Sequence, residues 1–226
     1  FFKKYYLFLA LAALAFIIHF SFLTYPSEVV FDEVHFGKFV SGYFTGEYFF
    51  DIHPPLGKLM IAGFGKMTGL DTASFIPSAG SADTATSIGF DHIGEPLPPQ
   101  ILFTLRFLPA LFGALFVLAF SWLAWLASNS KTASLIAGFL ALADHAFLVQ
   151  SKFILVDIFL LFFTVLAFCF FFLWQRQKSW SCKWFLYLIL AAVSFGFSIS
   201  IKWTAVATLG IFAVVLFAKI FSSRLA

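Results

Sequence analysis

The run from Ile101 to Ala127, ILFTLRFLPALFGALFVLAFSWLAWLA, holds one ionisable side chain, Arg106, in 27 positions. A helix rises 1.5 Å per residue, so this run crosses a hydrocarbon core of about 30 Å with residues to spare. Comparable runs lie near residues 5–23, 133–150, 153–174, 184–201 and 203–219. Together they predict an all-α polytopic membrane protein with about six transmembrane helices. The last four runs form two pairs broken only by Lys152 and Lys202, which read as tight hairpin tips. Composition points the same way: of 226 residues 62% are hydrophobic and 11% charged, 36 are Phe, and the mean hydropathy is +0.97. Such a chain has too little polar surface to cover a water-facing globule. Disordered, coiled-coil and nucleic-acid-binding classes are excluded with it. Cys169 sits in an apolar run and Cys182 in a basic loop, so the two read as packing and loop residues and not as a disulfide framework.

The net charge of +3 says little, because its distribution carries the signal. Lys3 and Lys4, Lys131, the trio Arg176, Lys178 and Lys183, and Lys219 and Arg224 fall at the start or in alternate loops, and no acid accompanies them. Short cytoplasmic loops collect Lys and Arg, which predicts a cytoplasmic amino terminus and a lumenal or external first loop. The first run has a basic flank and no small-residue cleavage site, so it reads as a retained signal anchor. The loop over 24–100 holds 7 of the 8 Pro and 9 of the 11 acids, and its 77 residues are too many for a mere connector. Within it Phe36, Phe39, Val40, Tyr43 and Phe44 recur at helical spacing, as do Leu56, Leu59, Met60 and Phe64 after Pro54-Pro55. These predict two amphipathic helices lying along the membrane surface. Residues 71–99, rich in Ser, Thr, Ala, Gly and Pro, read as an irregular excursion.

An ionisable group inside a bilayer is costly and needs a reason. Arg106, Asp144, Asp157 and Lys202 are four such groups, and the predicted orientation puts all of them at one outer depth, where they describe a polar cavity open to the outside. Their bland reading is a set of structural ion bridges with a snorkelling lysine. The adjacent pair Asp32-Glu33 follows the first run closely, among Val29, Val30, Phe31, Val34 and Phe36. A paired carboxylate of this kind can be a base, a metal site or plain solvated charge. The apolar neighbours hold it against the membrane surface, where a desolvated carboxylate suits general-base work on a hydroxyl. His53 precedes Pro54-Pro55, which forces it into an extended backbone and fixes its ring as a candidate binder. A lone histidine is more often a hydrogen-bonded structural group, and His19, His35, His92 and His145 read that way. No metal-ligand spacing, P-loop or completed dinucleotide fingerprint occurs, so neither a dedicated metal site nor a water-soluble nucleotide donor is supported. What fits is a lipid-embedded reactant, with Arg106 and Lys202 suited to a phosphate and a carboxylate placed to activate an acceptor.

The segment from Ser27 to Gly37, SEVVFDEVHFG, followed by Asp51-Ile52-His53-Pro54-Pro55-Leu56-Gly57-Lys58, closely resembles the first lumenal loop of dolichyl-phosphate-mannose protein O-mannosyltransferases. Further matches are LRFLPALFGA over 105–114, QSKFILVD over 150–157 and Ser200-Ile201-Lys202-Trp203, so the resemblance covers essentially the whole chain. It implies a glycosyltransferase of the C type (GT-C) that moves mannose, with inversion, from dolichyl-phosphate mannose to Ser or Thr hydroxyls of secretory proteins. Carried over, the acidic pair is the catalytic motif, with Asp32 the base and Glu33 helping to place acceptor or donor. Arg106 matches a functional arginine, and Lys202 stands where a basic residue holds the lipid phosphate. His53 and Asp157 are taken as orienting residues. The family has around eleven spans and in many members a lumenal β-trefoil domain, so residues 1–226 are expected to be the amino-terminal portion of the transmembrane domain. Homo- or heterodimers are implied, in the endoplasmic reticulum membrane of a eukaryote or the plasma membrane of a bacterium. Asp144-His145 departs from an expected Asp-Asn pair, and Lys152 from an expected Arg. Two other readings stay open: a polyprenyl-phosphate-sugar transferase acting on a lipid or glycan acceptor, and a transporter whose broken helices would carry charge near mid-membrane.

Overall fold

The computed structural model describes residues 2–75 and 90–222. Nine α-helices occur among them: α1 (Phe2–Phe20), α2 (Glu33–Thr45), α3 (Leu56–Met67), α4 (Pro99–Ser128), α5 (Lys131–Ala143), α6 (His145–Lys152), α7 (Asp157–Gln175), α8 (Cys182–Ile199) and α9 (Val206–Ser222). Residues 76–89 of the expected irregular excursion lie outside the described residues, as do the side chains of Lys3, Lys4, Lys219 and Arg224.

Every one of the six apolar runs is helical, yet the expected span count is not confirmed. Three helices, α4, α7 and α8, are long and apolar enough to cross a membrane, and a fourth span results if α5 and α6 are joined. The apolar stretches Tyr6–Phe20 and Trp203–Ala218 are shorter. Residues 133–150 do not form one straight span because the chain bends by 60° between α5 and α6. The cause is Asp144, whose carboxylate accepts from the N–H groups of Ala146 at 2.8 Å and Phe147 at 3.2 Å. A side chain that satisfies the first free donors of a new helix starts that helix there.

Helix α4 is the centre of the bundle and packs against α1, α3, α5, α6 and α7. It begins with Pro99 at a position where a missing N–H costs nothing, and ends at Asn129 in the left-handed conformation, φ 51°. A Cβ on Gly113 would stand 2.4 Å from His19 of α1 and from Ser151 of α6, so only glycine lets three helices meet there. Ser121 and Ser134 exchange hydroxyl-to-carbonyl bonds of 2.9 and 2.7 Å between α4 and α5, and the Thr164 and Ser198 hydroxyls meet at 2.6 Å between α7 and α8. Such bonds between apolar helices contribute about 0.6 kcal/mol each. The many phenylalanines fill the remainder: Phe112 alone meets the rings of Phe159, Phe162 and Phe163 at 4.8 to 5.7 Å.

The two ends of the bundle differ in chemistry. Arg176, after α7, donates to the Leu126 carbonyl of α4, which gathers the basic connections around Lys131 and Arg176–Lys183 at one end. The opposite end carries α2 and α3, the two helices expected in the first loop. The buried face of α3 is Gly57, Lys58, Ile61, Ala62 and Gly65, nearly opposite the expected stripe, of which Leu56, Met60 and Phe64 are half-buried and Leu59 is exposed. The start of α3 packs on Val156 and Ile201, too closely for a larger residue than Gly57, whose Cβ would lie 2.9 Å from Val156. The chain then returns to the start of the acidic segment. Val29 and Glu95 bond at 2.8 Å and Leu97 and Ser27 at 3.0 Å, laying residues 94–97 beside 27–29.

Candidate active site

The turn Val30–Glu33 closes on itself, with the Glu33 N–H donating to the Val30 carbonyl at 3.0 Å and the Val30 N–H donating to Glu33 Oε2 at 3.0 Å. Phe31 takes a positive φ of 50° inside it, a strained setting for a bulky residue. The turn drives the two adjacent carboxylates into opposite environments. Glu33 is completely buried and makes a bidentate pair with Arg106, Nε to Oε1 at 2.8 Å and Nη2 to Oε2 at 2.7 Å. Its Oε1 also accepts the Ile154 N–H at 2.9 Å. Asp32, half-buried at the start of α2, has no hydrogen-bond or ion-pair partner for its carboxylate among the described residues.

Arg106 is as buried as Glu33 and fully subscribed. Nη1 donates to the carbonyls of Leu23 at 3.2 Å and Pro26 at 2.9 Å, Nη2 donates also to that of Glu28 at 3.1 Å, and the guanidinium lies 5.0 Å from the centre of the Phe153 ring. All five N–H groups of a guanidinium are thereby used. In this conformation every guanidinium N–H of Arg106 is engaged by Glu33 and the backbone of 23–28, so none is left over for a phosphate. Its position in an apolar run marks the side chain as costly, but only the folded loop shows that its partners are Glu33 and three backbone carbonyls.

Lys202 and Asp157 form the second pair, Nζ to Oδ1 at 2.7 Å, with side chains 16% and 27% exposed. Lys202 lies in the extended link between α8 and α9, and Asp157 opens α7, where a carboxylate complements the helix dipole. The two ion pairs are neighbours. Glu33 is bonded to Ile154, and from Ile154 three residues of chain reach Asp157, a path of about 11 Å at most between Cα atoms. Asp144 does not join them; it is exposed and caps α6.

His53 is brought to the same end. Its ring stacks on Phe36, centroids 6.5 Å apart and planes within 12°, and Phe36 lies one turn beyond Asp32. The Leu56 N–H, just after the proline pair, donates to the Ser200 carbonyl at 3.0 Å, which ties the histidine block to the Lys202 link. Sequence reasoning missed what anchors His53. Lys58, 2% exposed on α3, pairs with Asp51, donates to the His53 carbonyl at 3.0 Å and lies 5.4 Å from the centre of the Phe39 ring. The sequence carries no signal for it, because Lys58 falls opposite the predicted apolar stripe of this helix.

Burial works to raise the Asp51 pKa, but the bonds from Lys58 and the His53 N–H, with the electrostatic attraction of the Lys58 and His53 side chains, hold it below the ordinary carboxylate value. Burial and the Asp51 charge push the Tyr43 phenol up. A carboxylate whose folded pKa is depressed contributes stability above its unfolded value and loses it as pH falls through the folded one. The clamp is therefore expected to survive acidification through pH 4 and to open only below the usual Asp range. Amide exchange of residues 51–58 across a pH series, corrected for intrinsic rates, checks this; opening near pH 5 would contradict it.

The model of the family described as dolichyl-phosphate-mannose-protein mannosyltransferase matches residues 9–225. Protein O-mannosyltransferase 1 of Drosophila melanogaster is 36% identical over 199 residues, 88% of this chain and 21% of that protein. Dolichyl-phosphate-mannose–protein mannosyltransferase 6 of Saccharomyces cerevisiae is 37% identical over 199 residues, 86% of this chain and 24% of that protein. Among solved structures, the S. cerevisiae protein O-mannosyltransferase Pmt1-Pmt2 complex bound to the sugar donor matches with a TM-score of 0.83 at 27% identity, over 97% of this chain and 28% of that chain. The chain thus spans about a fifth to a quarter of the length of these relatives.

Proposed function

Because this chain belongs to the dolichyl-phosphate-mannose-protein mannosyltransferase family, we propose that it carries the catalytic carboxylate of a multi-pass membrane enzyme transferring mannose from a dolichyl phosphate to Ser or Thr hydroxyls of polypeptides. One observation supports this above the others: of two adjacent carboxylates, Glu33 is held in a buried ion pair while Asp32 has no partner among the described residues. A general base must have a free lone pair to accept the proton, and the Asp32 carboxylate, half-buried and without a partner among the described residues, meets that need.

In the proposed step the acceptor hydroxyl oxygen attacks the anomeric carbon as its proton passes to Asp32. The bond from that carbon to the phosphate oxygen breaks, and dolichyl phosphate leaves with the bonding pair, so the configuration inverts. Lys202 keeps two N–H groups beyond the one given to Asp157 and is assigned to the developing phosphate charge. Arg106 acts through Glu33 by fixing the turn on which Asp32 sits. His53 and Asp157 orient the surrounding segments, His53 against α2 and Asp157 by aiming Lys202.

The basic end of the bundle is assigned to the cytoplasm and the site to the lumenal or extracytoplasmic side, by the charge bias of short loops. The setting is the endoplasmic reticulum membrane in a eukaryote and the plasma membrane in a bacterium. Residues 1–226 are assigned to the amino-terminal portion of a GT-C transmembrane domain. Assembly with a second family member is supported by the two-subunit structure it resembles.

The test is transfer by the full-length protein from labelled dolichyl-phosphate mannose to a Ser/Thr peptide and, separately, to membrane lipids, with the product anomer read by NMR. Peptide labelling with inversion is expected; labelling of lipids alone would replace the acceptor class. Lys202→Met should raise the donor KM about 10-fold or more, the loss of a charged hydrogen bond, with peptide KM little changed. An unchanged donor KM removes Lys202 from the phosphate.

A further inference from the structure

Helix α2 ends at Gly46 in the left-handed conformation, φ 75°, and the chain doubles back along the helix before entering α3. Between the two limbs lies an open cleft of about 540 Å3. Its floor is built from Phe49, which packs at 5.2 Å from Tyr43 and fits beside α2 because Gly42 has no Cβ. Its inner wall is His53 and the Asp51–Lys58 clamp. Its rim carries Glu47, Tyr48 and Phe50. Tyr48 is 89% and Phe50 78% exposed, and neither ring has a ring partner among the described residues. Asp51 is neutralised by Lys58, whereas the exposed Glu47 carboxylate has no ion-pair partner among the described residues. The cleft is thus aromatic with one uncompensated negative charge at its mouth. It is also continuous with the catalytic turn: the His53 ring that closes it rests on Phe36, one helical turn from Asp32.

We propose that this cleft receives the polypeptide acceptor next to its reacting Ser or Thr and selects a cationic side chain there, Glu47 and the faces of Tyr48 and Phe50 supplying the attraction. The inference rests on Asp32 being the transfer base, and it adds a sequence preference to that reading. A carboxylate beside two exposed rings matches Lys or Arg by charge and by cation–π contact, and its negative charge disfavours a lipid phosphate. The His53–Phe36 stack joins the wall of this cleft to the helix that Asp32 begins, which puts the rim and the turn at one end of the bundle.

The experiment uses the full-length protein and two peptides with one acceptor Thr, differing in a single flanking residue, Lys or Glu. The wild type should turn over the Lys peptide with a kcat/KM about 5- to 20-fold higher. Glu47→Lys should invert the ratio, and Glu47→Gln should bring it near one. Tyr48→Ala with Phe50→Ala should raise peptide KM while leaving donor KM where it was. Equal use of the two peptides, or a ratio that ignores the charge at position 47, overturns the proposal. So does a rise in donor KM without a rise in peptide KM in the aromatic variant, which would make the rim a lipid-facing lip. Fluorescence anisotropy of both peptides with the Asp32→Asn protein separates the two hypotheses: a charge preference that follows residue 47 there supports the cleft even if transfer has another base, and equal affinities overturn it.

Discussion

Asp32→Asn should abolish mannosyl transfer, lowering kcat by about 10²- to 10⁴-fold, the contribution of a positioned general base, with the thermal midpoint within a degree or two of the wild type. The asymmetry between rate and stability follows from the geometry. The Asp32 carboxylate has no partner among the described residues, so removing its charge breaks no ion pair and exposes no buried donor. Asparagine keeps the shape and the affinity for a helix start while losing the proton acceptor. Initial rates with saturating donor and peptide, beside a thermal melt of the same preparation, make the measurement. Retained turnover would take Asp32 out of the role of base, and a collapse of stability would show that it is held by contacts the turn does not reveal.

Arg106→Ala should fail for the opposite reason. It leaves the Glu33 carboxylate buried without its counter-charge and strips donors from the carbonyls of Leu23, Pro26 and Glu28. Breaking one side of a buried ion pair costs about 3–5 kcal/mol, which for a chain of this size corresponds to roughly 10 °C in midpoint. Activity is expected to vanish with the fold of the 23–33 segment. The double variant Arg106→Met with Glu33→Leu removes both charges together and should recover part of the lost stability, because no ion is then left bare. If Arg106→Ala instead keeps its melting point and only raises donor KM, the arginine holds phosphate and not the turn.

Lys202 illustrates the division between what is written locally and what is not. Its place at the tip of an apolar run marked it as functional, and the structure gives it a partner, Asp157, from the run before. The two runs are neighbours in sequence and in space, yet the sequence reading leaves Lys202 to a phosphate or to snorkelling and does not pair it with Asp157. Arg106 was equally conspicuous, but its partners lie 73 to 83 positions away in the chain. Nothing in the spacing distinguishes a guanidinium free to hold a phosphate from one used up by Glu33 and three carbonyls. Lys58 was passed over because a lysine on an amphipathic helix reads as solvated, and the helix face it occupies is buried by packing on Val156 and Ile201 through Gly57.

The amino-acid sequence alone determined that the chain is helical and membrane-embedded, that charge collects at two opposite ends, and which residues stand out as chemically costly. Those properties follow from hydropathy and from the expense of isolated charge in hydrocarbon, both of which are read residue by residue. Tertiary structure decided that the third run breaks at Asp144, that Arg106 is paired with Glu33, and that Asp32 has no partner among the described residues. Each of these depends on which donor meets which acceptor, and a hydrogen bond is settled by tenths of an ångström between groups that only folding brings together.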